Sequence, residues 1–165
     1  MYPPNNAILS IHPTYGQHRT NSTTEVIMSF FVSTNLELTN ILPFVSTLYE
    51  DVGYEGDLVL GIAPLSSMLT SKRSSQLLQT YLEYQAEIHT GFIVYEIPLE
   101  CITIKIRHPC RTIGMFSDPE GNVVKDTRNY REIAQLRFEY YWAWTTLYSS
   151  RTNIWLLDAR DTLFQ

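Results

Sequence analysis

The stretch Ile154-Trp-Leu-Leu-Asp-Ala-Arg-Asp-Thr-Leu-Phe164 carries the strongest indication of the fold. It begins with a continuous run of apolar residues, which is typical of a strand that is buried on both faces. Two carboxylates, Asp158 and Asp161, follow where this run ends. Ligands of open α/β sheets collect at the carboxyl ends of the strands, where acidic side chains are placed to hold a divalent cation.

Apolar patterns upstream predict the rest of an α/β domain. Compact apolar runs predict strands, and apolar residues at helical spacing predict helices between them. In chain order the predicted elements are a strand over 25–32, a helix over 36–49, a strand over 58–62, a helix over 76–88, a strand over 92–97 and a long helix over 129–148. Alternating strands and helices are typical of βαβ units, so we expect a mostly parallel central sheet flanked by helices.

Two segments depart from this alternation. Residues 1–23 are rich in Pro, Asn, Thr and Ser and lack periodicity, so they are predicted to form a flexible leader ahead of one domain over residues 24–165. Residues 102–106 alternate between apolar and polar side chains, and this alternation predicts a half-exposed strand.

The composition excludes several classes of protein. With 44% hydrophobic and 18% charged residues, the 165-residue chain has the composition of a globular protein rather than a disordered one. Its net charge of −5 argues against a general nucleic-acid surface. No apolar run approaches the roughly 18 residues of a transmembrane helix. Cys101 and Cys110 are close enough in sequence to form a bridge, although two separate thiols are the simpler interpretation, so they do not set the compartment.

Several other polar residues carry weaker signals. The triplet Asn21-Ser-Thr23 fits a glycosylation acceptor, which matters only in a secreted protein. His12 and His18 lie in the leader and make an unpersuasive pair of metal ligands. His89 follows the second predicted helix, where it suits the helix dipole. Arg131 is predicted to face solvent.

One cation interrupts the aromatic stripe of the long predicted helix. Arg137 recurs at helical spacing with Tyr141 and Trp144. A cation in such a stripe must meet a carboxylate, a carbonyl or a phosphate, because isolated burial is costly. Two interpretations stay open. Arg137 binds phosphate, which its planar fork suits, or it stacks on Tyr141 or pairs with Asp158.

The two aspartates of the final motif allow two interpretations as well. As hard oxygen ligands they suit Mg²⁺ or Mn²⁺, with water and a diphosphate completing the coordination. In the alternative, Asp161 caps a turn and Asp158 pairs with a nearby arginine. Arg160 lies between them and is predicted to point to the other side of the strand end, where it contacts phosphate or balances charge.

The order of these residues resembles the nucleotide-sugar-dependent glycosyltransferases of the GT-A fold. The resemblance lies in Arg-Phe-x-Tyr-Tyr-x-x-Trp, which begins at Arg137, and in the following Ile-Trp-Leu-Leu-Asp-x-Arg-Asp-x-x-Phe-Gln. It covers roughly residues 25–165 in architecture, but its specific part is residues 137–165. It implies a Rossmann-like nucleotide-binding half, in which a helix precedes the strand that ends in the acidic motif.

The resemblance also implies a metal site and a donor site. The acidic motif maps to Asp158 and Asp161, which would hold Mn²⁺ or Mg²⁺ against the diphosphate of a nucleoside-diphosphate sugar. Arg137 matches an arginine that often precedes the motif, and Arg160 would assist it. Three further residues lie where the base and ribose are commonly bound: Ser33, Thr34 and Asn35.

Two departures from the family pattern shape the functional expectation. The commonest acidic motif of that fold is D-x-D, whereas the spacing here is D-x-x-D. The sequence given ends at Gln165, so the acceptor half is missing from it and we expect a truncated, inactive fragment with a poorly covered last strand. The sugar acceptor, whether glycan, protein or lipid, is not indicated. Transferases of this kind often reside in the Golgi lumen behind an anchor.

Two alternatives to a transferase remain. The first is a non-catalytic module that keeps the fold and binds a nucleotide sugar or another protein. The second is a phosphatase of the haloacid dehalogenase type, which also uses an apolar strand that ends in aspartates. Its D-x-D-x-T order requires carboxylates two residues apart, and Arg160 occupies that position here.

Overall fold

The computed structural model describes residues 7–105 and 108–158. These residues contain nine β-strands and three α-helices. In chain order the elements are β1 (Ile8–Leu9), β2 (Glu25–Phe31), α1 (Leu38–Ser46), β3 (Asp57–Ile62), α2 (Lys72–Ile88), β4 (Phe92–Glu96), β5 (Leu99–Cys101), β6 (Cys110–Thr112), β7 (Phe116–Ser117), β8 (Val123–Val124), α3 (Ile133–Thr145) and β9 (Asn153–Leu156). None of the described helices is long and apolar enough to cross a bilayer.

The chain divides into two compact units. The first consists of Met1–His12 and Ile97–Thr146, and the second of Pro13–Glu96 and Leu147–Gln165. The second unit contains β2, β3, β4 and β9 with α1 and α2, and the first contains the remaining strands and α3.

The second unit is built on a four-stranded, all-parallel sheet in the order β4-β3-β2-β9. Strands β2, β3 and β4 are joined through α1 and α2, whereas β9 pairs on the other side of β2. The predicted α/β class, with a parallel sheet flanked by helices, is therefore confirmed, and the arrangement is compatible with a Rossmann-like fold.

The apolar runs form strands because the sheet buries them. All six residues of β3 are buried, as expected for a strand with neighbours on both sides. Helix α1 contributes Ile41, Phe44 and Val45 to the same core. Helix α2 contributes Leu78 and Leu82.

Helix α2 begins four residues earlier than the apolar periodicity predicts. Ser71 is its N-cap and accepts a hydrogen bond from the backbone N–H of Ser74 at 3.1 Å. The first turn is polar and exposed, so it has no apolar residue to mark it in the sequence.

The last strand is present, but the prediction that both its faces are buried is wrong. Trp155 is 55% exposed and Leu156 is 47% exposed. Among the described strands β9 pairs only with β2, so it is an edge strand. The expectation of a poorly covered last strand agrees with this exposure.

The segment predicted to be a flexible leader makes specific contacts in the second unit. Thr14 donates its backbone N–H to the carbonyl of Val94 at 2.7 Å, and Val94 donates to the carbonyl of Tyr15 at 2.9 Å. These bonds satisfy the outer edge of β4, which pairs with β3 on its other side. Gly16 follows with a φ of +75° and passes close to the backbone of Phe92.

In the first unit, β5 and β6 form an antiparallel hairpin that is joined by a disulfide between Cys101 and Cys110. The interpretation of two separate thiols is therefore wrong. The strand predicted over 102–106 is also wrong for its described residues 102–105, because β5 ends at Cys101 and beyond it only Ile104 takes part in a β-bridge. Ile102 donates its backbone N–H to the carbonyl of Pro109 at 3.1 Å.

A buried ion network organises the rest of the first unit. Arg131, predicted to face solvent, instead donates to the carboxylates of Asp126 at 2.8 Å and Glu139 at 3.1 Å. Burial opposes the ionisation of Asp126, but hydrogen bonds from Arg128 and Arg131 outweigh it and hold the pKa of Asp126 well below its usual range. Thr112 adds a hydroxyl donor at 2.9 Å.

We expect Gly16→Ala to destabilise the second unit more than Gly53→Ala. Both glycines have a positive φ, which costs an L-residue roughly 1–2 kcal/mol. A Cβ at Gly16 would lie 1.9 Å from the carbonyl oxygen of Phe92, whereas a Cβ at Gly53 would meet nothing within 4 Å. The clash should add about 1–3 kcal/mol, measured as the difference in free energy of unfolding by urea titration. Equal losses for the two variants would contradict the docking of the leader onto β4.

Candidate functional site

The strands of the parallel sheet all end at one edge, which we call the carboxyl edge. The strand order reverses between β2 and β9, because the chain continues from β2 to one side and returns with β9 on the other. Such a reversal is the topological switch point, where open α/β sheets bind ligands. The residues that follow these two strands therefore form the candidate site.

Asp158 lies directly at this switch point. Leu157 donates its backbone N–H to the carbonyl of Met28 at 3.0 Å, and its own carbonyl accepts from the hydroxyl of Ser29 at 2.8 Å. Leu156 pairs with Met28, so the same register brings the half-buried Asp158 level with Phe30. The backbone that carries this carboxylate is thus held by the neighbouring strand.

Ser33, Thr34 and Asn35 lie further along the same edge. All three are exposed, and they begin three residues beyond Phe30, a length of chain that spans at most about 10 Å. Ser33 accepts the backbone N–H of Asn35 at 3.3 Å, and the carbonyl of Thr34 accepts the N–H of Leu69 at 2.8 Å. The structure therefore places these residues at the same switch point as Asp158, although not in the same cluster.

Glu37, rather than any of these three residues, occupies the N-cap of α1. Its backbone N–H donates to the side chain of Asn40 at 2.8 Å, which forms one half of a capping box. The side chains of Thr34 and Asn35 consequently have no capping role.

Two other predicted site residues lie outside the described residues: Arg160, predicted to contact phosphate, and Asp161, predicted to bind the metal. Within residues 7–105 and 108–158, no three His, Cys, Asp or Glu side chains come together as metal ligands. Magnesium at nucleotide sites is commonly held by one or two carboxylates together with phosphates and water. A pair formed by Asp158 and Asp161 fits that coordination, and the assignment stays a prediction.

Arg137 belongs to α3 in the first unit. Its guanidinium lies over the ring of Phe138, 5.0 Å from the centroid, rather than over Tyr141 as one interpretation proposes. Its Nε is buried and donates to no atom in the described part of the chain. The phosphate-binding role of Arg137 stays a prediction.

A buried polar network lies near the other edge of the sheet, where the strands begin; we call this the amino edge. Asp57, the first residue of β3, has a fully buried side chain. It accepts the backbone N–H of Arg19 at 2.9 Å, the Nε–H of Arg19 at 2.7 Å and the hydroxyl of Tyr148 at 2.7 Å. This buried carboxylate is therefore paired with a cation and fully hydrogen-bonded.

His18 extends this network toward β4. Because the Tyr148 hydroxyl donates to Asp57, it accepts from Nδ1–H of His18, and Nε2 of His18 accepts from the hydroxyl of Tyr95 at 2.6 Å. With a neutral imidazole protonated on Nδ1, every bond of this chain has one donor and one acceptor. Burial lowers the pKa of His18 to about 4, against the opposing effect of the Asp57 charge.

A cleft of about 560 Å³ opens at the amino edge. Arg19, Glu25, Glu55 and Tyr49 contribute to its lining. His89, also in the lining, stacks on Tyr49 with ring centroids 3.9 Å apart, and burial lowers the pKa of this histidine. His89 is the C-cap of α2, which agrees with its predicted place at the helix C-terminus.

Comparison with known proteins identifies no relative: no family model, no curated protein and no solved structure matches the chain. The glycosyltransferase resemblance, its metal and its donor therefore stay predictions. The geometry of the second unit is the structural basis for a functional proposal.

We expect the stability of the protein to fall as the pH decreases from about 6.5 to about 4, in part because of His18. In this window the unfolded chain binds a proton at His18 that the folded chain excludes, so the contribution present above pH 6.5 is lost on acidification. The slope from this one proton is at most about 1.4 kcal/mol per pH unit. Urea titrations of the wild type and His18→Gln across this range measure it.

The variant should be less stable near neutral pH but should have a flatter pH dependence. His12→Gln is the matched control, because His12 is exposed and has no hydrogen bond or ion pair among the described residues. Identical slopes for the wild type and His18→Gln would contradict a neutral, buried His18.

Proposed function

We propose that the carboxyl edge of the parallel sheet is the donor site of a metal-dependent glycosyltransferase. It would bind a nucleoside-diphosphate sugar at the switch point between β2 and β9. The observation that carries this proposal is the reversal of strand order there, because the residues that follow β2 and Asp158, which follows β9, then belong to the same edge of the sheet.

The separation of the polar groups at the carboxyl edge suits a ligand as long as a nucleoside-diphosphate sugar. The hydroxyl and amide groups of Ser33, Thr34 and Asn35 are exposed for hydrogen bonds with a base and ribose. By the same register Asp158 is level with Phe30, and the three residues from there to Ser33 span at most about 10 Å, within reach of the diphosphate of the same ligand. A single extended nucleotide can therefore contact both groups.

In this proposal Asp158 and Asp161 hold Mn²⁺ or Mg²⁺. Such a cation neutralises charge that develops on a departing diphosphate. The chain's own contribution is to hold the backbone that leads into Asp158 against β2, through the hydrogen bonds of Leu157 with Met28 and Ser29.

The disulfide between Cys101 and Cys110 supports a location for this activity. Disulfides persist mainly in oxidising compartments and on secreted proteins. This observation favours the lumen of the secretory pathway, where many sugar transferases of the resembled family act, over a reducing cytosol.

We expect calorimetric titration of the full chain with UDP and GDP to detect binding of at least one nucleotide in the presence of MnCl₂ and none after chelation. Asp158→Asn and Asp161→Asn should each weaken that binding by more than roughly tenfold, because a metal ligand is lost. Asp51→Asn is the matched control. It removes one exposed carboxylate of the same unit, after α1 and away from the carboxyl edge. Circular dichroism establishes that each variant is folded.

The same titration separates the proposal from the alternative of an interaction module. Manganese-dependent binding with no transfer of sugar would correspond to a non-catalytic nucleotide-sugar-binding protein. Failure of the folded wild type to bind either nucleotide would contradict the donor site. Self-association of that folded, non-binding chain would then favour an interaction module.

A further inference from the structure

We infer that Asn21 is an N-glycosylation site. The triplet Asn21-Ser22-Thr23 has the acceptor pattern N-x-S/T, with serine rather than proline in the middle position. The structure adds the position of this triplet in the fold, which is independent of the pattern itself.

Asn21 lies in a tight turn just before β2. The backbone N–H groups of Ser22 and Thr23 both donate to the carbonyl of Arg19, each at 3.0 Å. This closes the turn and leaves Asn21 exposed. The side-chain amide of Asn21 has no hydrogen-bond partner in the part of the chain that the structure describes. A sugar attached to it therefore breaks no native bond and displaces no packed group.

The turn that carries Asn21 is rigidly positioned. Arg19, whose carbonyl closes the turn, donates its own N–H and Nε–H to the buried carboxylate of Asp57. The hydroxyl of Thr23 donates to the carbonyl of Glu25 at 2.8 Å. Loop tips of this kind tolerate large attachments, because the added group projects into solvent while the loop base stays fixed.

The disulfide provides a second observation that is independent of the triplet. Cys101 and Cys110 lie in the first unit and Asn21 in the second, yet both features require the same environment. The oxidising lumen in which disulfides form is also where N-linked oligosaccharides are added to eukaryotic secreted proteins.

The position of Asn21 is compatible with ligand binding at the carboxyl edge. Asn21 precedes the first residue of β2, whereas Ser33 follows its last. The seven residues of β2 separate the two ends of the strand by about 20 Å. A glycan on Asn21 would therefore project from the amino edge, and the inference stands whether or not the proposed donor site exists.

The modification is a group transfer from a lipid-linked oligosaccharide diphosphate. The Asn21 amide nitrogen forms a bond to the anomeric carbon of the first sugar and loses one proton to a base of the transferring enzyme. The bond between that carbon and the diphosphate oxygen breaks, and the lipid diphosphate leaves with the electron pair. No oxidant or reductant is needed.

The test is to express the full chain behind a cleavable secretion signal in cultured eukaryotic cells and to examine the translocated protein. We expect the wild type to carry one core oligosaccharide, which peptide N-glycosidase removes and which mass spectrometry of the peptide locates on Asn21. Thr23→Ser keeps the acceptor pattern and should still be modified. Asn21→Gln should not be modified.

Translocated wild-type protein that is disulfide-bonded and unmodified at Asn21 would overturn the inference. A glycan at Asn21 that abolishes cooperative unfolding would contradict the exposed, tolerant turn from which the inference is argued. We expect the melting temperatures of the glycosylated protein, the enzymatically deglycosylated protein and Asn21→Gln to agree closely. The nucleotide titrations described above are separate measurements, so failure of either proposal leaves the other intact.

Discussion

The second unit depends on the buried carboxylate of Asp57. A buried charge is tolerated only when it is paired and fully hydrogen-bonded, and loss of one partner typically costs about 3–5 kcal/mol. Here the donors come from Arg19, 38 residues before it, and from Tyr148, 91 residues after it. One side chain at the start of β3 thus fastens both the leader and the segment that leads into β9 to the same edge of the sheet.

The two edges of this sheet differ in how far their polar groups are buried. The amino edge holds the ion pair, the neutral His18 and the stacked rings of Tyr49 and His89, all of which are buried or partly buried. The carboxyl edge instead presents the exposed Ser33, Thr34 and Asn35 after β2 and the half-buried Asp158 after β9. In parallel sheets the binding groups are commonly found at the carboxyl edge, and the opposite edge serves stability.

The sequence predicts those features that depend on neighbouring residues. Apolar runs and helical spacing locate β2, β3, β4, α1 and α2. In each of these elements the buried face makes apolar residues recur at a regular spacing within one short segment. The exposure of Trp155 is not predictable in this way, since central and edge strands share the same local pattern and differ only in their neighbours. The positions after β2 and β9 could be proposed as a site because both follow apolar runs.

The environment of a residue cannot be predicted from its neighbours in sequence when its contacts are with residues far away along the chain. His18 lies in a segment with no periodicity, and its partner Tyr148 is 130 residues away. Arg131 lies on a polar stretch of sequence that predicts exposure, but its guanidinium binds Asp126 and Glu139. The same charged residue type can be solvent-exposed or buried in an ion pair, so no local sequence pattern distinguishes these two environments.

The pairing of β9 with β2 also determines the order in which the sheet can assemble. The hydrogen bond between Ser29 and Leu157 spans 128 residues, the whole stretch between the two strands. During synthesis, that side of β2 stays without its partner until nearly all of this stretch has been made. Closing so long a loop slows folding, because its entropy is lost before the pairing is gained. The nascent chain therefore carries an open strand edge until β9 has been made, and unpaired strand edges of this kind are prone to aggregation.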